Sequence, residues 1–309
     1  MTHPNFTQLC WRAFAAMIAT LLNDFIPLIL ERLHDNYACL YNCLFVSKSW
    51  CNVAVGILWQ SPFTRNIQAA NPSLLVSYLK CLSDENKLEL HKMGLETLWM
   101  HSSTMFDYPL YLEHLTDFDL RALLLALYPD IDPRTELVVF TLLVRMFMDR
   151  SRRLRKLELH YGNDYFATDI YRLCAQRHSQ LEYMSISMHH SNPYTLGHLD
   201  DEISTLLTNQ KGQLKYFGMW HANEHMRAIM NALLKQKSSI ETVEFCFCAF
   251  DVNSLIIWVK QFPHLLKLIF DNCRGVPPNI DESLDGMMMI NGYATSNSTR
   301  IVLTRVMQI

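Results

Sequence analysis

One six-residue pattern returns five times in the second half of the chain, and it leaves few folds open. Leu154-Arg-Lys-Leu157-Glu-Leu159 fits L-x-x-L-x-L, followed by Leu181-Glu-Tyr-Met184-Ser-Ile186 and Leu214-Lys-Tyr-Phe217-Gly-Met219. Ile240-Glu-Thr-Val243-Glu-Phe245 and Leu265-Leu-Lys-Leu268-Ile-Phe270 complete the series, with starts separated by 27, 33, 26 and 25 residues. Alternation inside each unit predicts a strand, because successive side chains of a strand point to opposite faces. Between the units, Met226, Ile229, Met230, Leu233 and Leu234 recur with helical period. So do Val252, Leu255, Ile256 and Val259, with Asp251 placed to cap the helix. Strand and helix alternating at this spacing predict an α/β architecture: a parallel sheet with helices outside, bent into an arc.

Pattern and period resemble leucine-rich repeats, whose units run to about 20–29 residues. The resemblance implies an irregular leucine-rich-repeat solenoid over 150–275, with 276–309 as a closing cap or tail. It places Asn or Cys three positions after the third apolar residue, where Cys248 and Cys273 stand. That reads as packing rather than thiol chemistry. Strand alternation turns a second set of residues away from the helices, as a surface for a protein partner. Arg155, Glu158, Tyr183, Lys215, Tyr216 and Glu244 are the candidate contacts, with Lys156, Glu182, Ser185, Gly218, Glu241 and Thr242 beside them.

Near the N-terminus, residues 24–63 carry three short helix signals with explicit punctuation. Pro27 suits a first helical turn and Asp24 its positive dipole end. Leu28-Ile29-Leu30 and Leu33 give an apolar face that His34-Asp35-Asn36 ends. Tyr37, Leu40, Tyr41 and Leu44 share a helical period, as do Trp50, Val53, Ala54, Ile57 and Leu58, with Ser47 or Ser49 as a cap and Pro62 as a stop. Helices shorter than ~12–15 residues are marginal alone, so these must pack on each other and on a partner.

The order of these elements resembles an F-box: a Leu-Pro-like start at Ile26-Pro27, then Ile29, Leu30, Leu33 and Leu40. Val46-Ser47-Lys48-Ser49-Trp50 and the closing Leu58-Trp59 follow. The ending Ile57-Leu58-Trp59-Gln60-Ser61-Pro62-Phe63 looks most like the large fungal F-box families. Ile at 26 and Ser at 47 depart mildly from the pattern. The resemblance implies that Ile26, Pro27, Leu30, Leu33, Leu40, Val46, Trp50 and Leu58 face a Skp-type adaptor or support that face. With the repeats, it implies a non-enzymatic substrate-recognition subunit of an SCF-type cullin–RING ubiquitin ligase, cytoplasmic or nuclear. Its second partner would be a target protein of unknown identity. The alternative is a leucine-rich-repeat interaction scaffold not coupled to ubiquitination.

Residues 1–23 read as an N-terminal helical segment. Its apolar core, Ala13–Leu22, meets Asn23-Asp24 where a secretory signal needs a small-residue cleavage site. Residues 64–149 read as a mostly helical linker layer. Helices are expected at Ser73–Leu82, Tyr108–Leu127 (two, broken near Thr116-Asp117) and Thr135–Asp149. A strand is expected at Leu95–Met100, and a turn cluster at Pro129, Asp130, Asp132 and Pro133.

The 309 residues carry a net charge of -3, which gives no field for nucleic acid, and no apolar run reaches the ~20 residues a membrane helix needs. Glycine-rich phosphate loops and G-x-S-x-G are absent from the sequence. Nine cysteines, odd and scattered, point to a reducing compartment. The spacing of Cys39, Cys43 and Cys51 beside His34 departs from paired zinc motifs, so neither metal nor cofactor is expected. Arg150, Arg152, Arg153, Arg155 and Lys156 put five cations in seven residues. The run reads as a solvated face, or as a contact for an acidic segment or phosphate.

Overall fold

The first apolar residues of the repeats line up in one buried row across a sheet. The computed structural model describes residues 24–63, 72–95, 103–159, 164–187, 196–222, 226–277, 279–284, 286–294 and 299–305. Six strands run parallel and pair in chain order: β1 (His114–Thr116), β2 (Lys156–Leu159), β3 (Tyr183–Ser187), β4 (Tyr216–Trp220), β5 (Thr242–Cys246) and β6 (Lys267–Asp271). β7 (Met287–Ala294) and β8 (Thr299–Arg305) are antiparallel and complete an open sheet of order β1-β2-β3-β4-β5-β6-β8-β7. Leu157, Met184, Phe217, Val243 and Leu268 are paired in register and fully buried. Three residues earlier in each unit, Leu154, Leu181, Leu214, Ile240 and Leu265 form a second buried row.

Leu112 belongs to that row too, which the sequence reading did not anticipate. The segment Tyr108–Leu127 is not two helices. Tyr108–Tyr111 is a 3-10 turn, β1 follows, and only Asp117–Leu127 is α-helical. The backbone has a partner across the sheet, because the Glu113 carbonyl accepts from both the Arg155 and Lys156 N–H groups. The 42 residues from Leu112 to Leu154 exceed the repeat period and hide the relationship. The C-terminal segment, expected as a cap or tail, supplies the antiparallel pair. The expected strand at Leu95–Met100 lies almost wholly outside the described residues, as does the N-terminal segment 1–23.

The chain divides into two compact units, Met1–Pro62 and Phe63–Ile309. In the first, α1 (residues 24–31), α2 (Tyr37–Cys43) and α3 (Lys48–Leu58) are joined by tight turns. Asn36 caps α2 by accepting from Cys39 N, and Ser47 caps α3 by accepting from Trp50 N. In the second, α4 (Ser73–Lys80), α5 (Asp84–Lys92), α6 (Asp117–Leu127) and α7 (Pro133–Arg150) precede α8 (Asp164–Arg177), α9 (Leu196–Asn209), α10 (Met226–Leu233) and α11 (Val252–Val259). The turn cluster before α7 starts that helix: Asp132 accepts from Arg134 N and Thr135 N, and Pro133 takes the first turn, where its missing N–H costs nothing.

Helices α7, α8, α9 and α10 pack against one another in chain order, as the strands do. Buried polar side chains tie each unit to the one before. His178 Nε2 donates to the Met148 carbonyl at 2.8 Å, Gln210 Nε2 to His178 at 2.9 Å, Gln236 Nε2 to Gln210 at 3.0 Å, and Trp258 Nε1 to Met230 at 2.7 Å. Burial holds the His178 imidazole below its ordinary 6.5. The unfolded chain therefore takes up a proton near pH 6.5 that the folded chain refuses, and stability present above that pH falls below it. In thermal unfolding between pH 7 and pH 5, the wild type should lose more stability than His178→Gln. Equal losses would show that His178 does not carry the effect. His114, also lowered by burial, leaves some dependence in both.

Candidate functional site: an exposed apolar stripe and a tyrosine ladder

In the small helical unit, Ile26, Leu30, Leu40, Cys43, Ala54 and Ile57 form the core, with Leu33, Leu44, Trp50, Val53 and Leu58 packed against it. Of the residues expected at the adaptor, Ile26, Leu30 and Leu40 are thus interior, and Leu33, Trp50 and Leu58 support them. Pro27 is half-buried, and Val46 is exposed. Cys43 is a core residue.

The outward side of the unit is also apolar. Phe25, Leu28 and Ile29 of α1 are 48–58% exposed, Tyr41 is 58% exposed, and Phe45 with Val46 reach 73% and 61%. Tyr41 and Phe45 pack edge to face, with ring centroids 5.5 Å apart. Helix α1 therefore carries two apolar sides, one filled by its own unit and one facing water. A surface helix ordinarily has a single apolar stripe. Sequence reasoning missed Phe25, Tyr41 and Phe45 as surface. For Phe25 the signal was available, since α1 holds more apolar residues than one stripe accommodates.

On the large unit, one face of the sheet is covered by helices and the other bears a ladder of polar and aromatic side chains. Register places Lys156, Tyr183, Tyr216 and Thr242 in one row, and Glu158, Ser185, Gly218 and Glu244 in the next. The Tyr183 and Tyr216 rings stack at 4.0 Å, 1° from parallel. Lys156 Nζ lies 4.3 Å from the Tyr183 ring centroid and 2.8 Å from Glu158 Oε1. At the other end the Tyr216 hydroxyl donates to Glu244 Oε2 at 2.5 Å. Burial, followed by the hydrogen bond to Glu244, pushes the Tyr216 hydroxyl far above its ordinary range, so it stays a donor. The ladder spans four strands, with stacked aromatic rings at its centre and charged side chains at both ends.

Gly218 makes room for this ladder. A Cβ there would stand 2.9 Å from Ser185 Oγ and 3.1 Å from the Tyr216 hydroxyl. Gly218→Ala should move Tyr216 off Glu244 and cost about 1 kcal/mol, as small overpacking changes do. Chemical denaturation would read the loss, and near-UV circular dichroism the disturbed tyrosine pair. An unchanged spectrum and midpoint would show that the ladder yields freely.

The six candidate contacts fall in two places. Glu158, Tyr183, Tyr216 and Glu244 belong to the ladder. Arg155 and Lys215 precede their strands and lie at the N-terminal edge of the sheet, beside Glu182. At the opposite edge, His221, Phe247 and Asn272 follow β4, β5 and β6, each with φ between 52° and 59°. This left-handed conformation is ordinary for Asn and unusual for Phe. In the same turns Cys248 Sγ donates to the Met219 carbonyl and Cys273 Sγ to that of Phe245, each reaching the preceding strand.

Among the described residues no group of three or more His, Cys, Asp or Glu side chains is placed to hold a metal ion. His189, His190 and His225 lie outside them. No helix among the described residues is long and apolar enough to cross a membrane. No protein-family model and no curated protein matches the chain.

Proposed function

We propose that this chain is a substrate-recognition subunit of an SCF-type cullin–RING ubiquitin ligase. Its helical unit docks a Skp-type adaptor as an F-box does, and its sheet unit, a leucine-rich-repeat-like solenoid, holds a target protein. The observation that carries the reading is the second apolar side of the helical unit. Phe25, Leu28 and Ile29, one helical period apart on α1, and Tyr41, Phe45 and Val46 at the end of α2 are exposed apolar residues that a partner would cover. The row register of the repeats and the tyrosine ladder support the second half of the proposal. The chain performs no chemistry of its own in this scheme. It raises the target's effective concentration near the ubiquitin-carrying enzyme.

Co-purification with a Skp-type adaptor tests the reading. The wild type should retain the adaptor, and Pro27→Ala combined with Trp50→Ala should lose it at an unchanged thermal midpoint. A wild type that retains none would leave the repeat scaffold uncoupled to ubiquitination as the better account.

A further inference from the structure

We propose that the groove along the N-terminal ends of the parallel strands binds an acidic peptide segment of a partner protein, at a site separate from both the apolar stripe and the tyrosine ladder. The groove encloses about 1300 Å³. Its inner wall is a row of side-by-side residues, Glu113, Arg155, Glu182, Lys215 and Glu241. The N–H of each from Arg155 onward donates to the carbonyl of the one before at 2.8–2.9 Å. Charges alternate along this row, and Arg155 Nη1 lies 3.4 Å from Glu182, so the inner wall largely neutralises itself.

The remaining charges of the groove are all positive: Arg152, Arg153 and Arg177 line it outside the row, and Arg305 extends the row beyond Leu266. Arg177 meets Asp149 at 3.3 Å, and the Arg305 guanidinium donates to the Phe262 and Pro263 carbonyls. Arg152 and Arg153 are exposed and form no ion pair among the described residues, though Arg153 is near enough to Glu113 to draw its carboxyl down against the burial that raises it. The rest of the five-cation run is engaged: Arg150 with Asp107 and the Cys81 carbonyl, Arg155 with Glu182, and Lys156 with Glu158. Two guanidinium forks are therefore left facing the groove, and carboxylates are the groups such forks bind in pairs.

The row from Glu113 to the position before β6 crosses five strand spacings, about 24 Å at ~4.8 Å each, the length of about seven extended residues. None of the described lining residues is Phe, Tyr or Trp. A single-stranded nucleic acid would need such platforms for its bases, whereas an acidic peptide needs none.

The probe is fluorescein-labelled heptaglutamate, followed by anisotropy with the full chain. It should bind in 50 mM salt and weaken at least tenfold in 300 mM, since exposed charges are screened. Arg152→Ser with Arg153→Ser should weaken it at least tenfold at an unchanged thermal midpoint. Arg227→Ser, which removes an exposed cation of α10, should leave it unaltered. Three results would overturn the proposal: no binding at 50 mM, a double variant that binds like the wild type, or oligothymidylate displacing heptaglutamate at lower concentration. The test needs no adaptor, so its outcome is separable from that of the co-purification.

Discussion

Gln210→Ala is expected to lower the stability of the sheet unit by about 3–5 kcal/mol. Gln210 is 6% exposed, and its amide joins three elements. Oε1 accepts from Leu181 N at 2.9 Å where the chain enters β3, and Nε2 donates to the His178 carbonyl after α8 and to Leu206 within α9. Alanine leaves the Leu181 N–H and the His178 carbonyl without these partners in a dry interior. Each such loss costs roughly 1–3 kcal/mol, and the vacated volume adds to it. In urea the midpoint should fall sharply while the slope stays constant, as for a pure stability change. A midpoint within experimental error of the wild type would mean that the buried links between units carry no net energy.

Leu28→Asp combined with Phe45→Asp should abolish adaptor retention while leaving the helical unit folded. Both side chains are more than half exposed, so neither contributes much to the core. If they are anchors of the proposed interface, each contributes about 2 kcal/mol or more, and their joint loss weakens binding about 1000-fold or more. Leu30→Ala makes the contrast. Leu30 is fully buried, and its truncation costs about 2–5 kcal/mol of folding energy, so lost binding there would not separate docking from unfolding. Retained adaptor with the exposed pair replaced, at an unchanged thermal midpoint, would remove the docking role of the stripe.

The parallel strands were legible because burial on one face forces period-two alternation, and five units repeat it at similar spacing. Asp251, which caps α11 by accepting from Ser254 N, was legible for a local reason: capping is read within one turn. β1 was not legible, since three residues carry too little pattern to compete with the helical period around them, and their meaning depends on a partner 42 residues away. The ladder was half legible. Alternation named Tyr183, Tyr216 and Glu244 as outward residues, but the stacking of one ring on the other follows from register between strands. Arg155 and Lys215 were grouped with the ladder because they too are polar positions inside the repeat. Their place before the strand puts them on the edge of the sheet instead.

The chain-order pairing of strands and helices has a consequence for how such a surface can change. A strand inserted between two neighbours, with its helix, would lengthen the sheet by one spacing of about 4.8 Å and leave the other pairings as they are. Only its apolar rows and its polar link to the preceding unit would have to match. The reach of the ladder and of the edge groove is thus set by a count of units, and a longer partner calls for one more copy of a part already present.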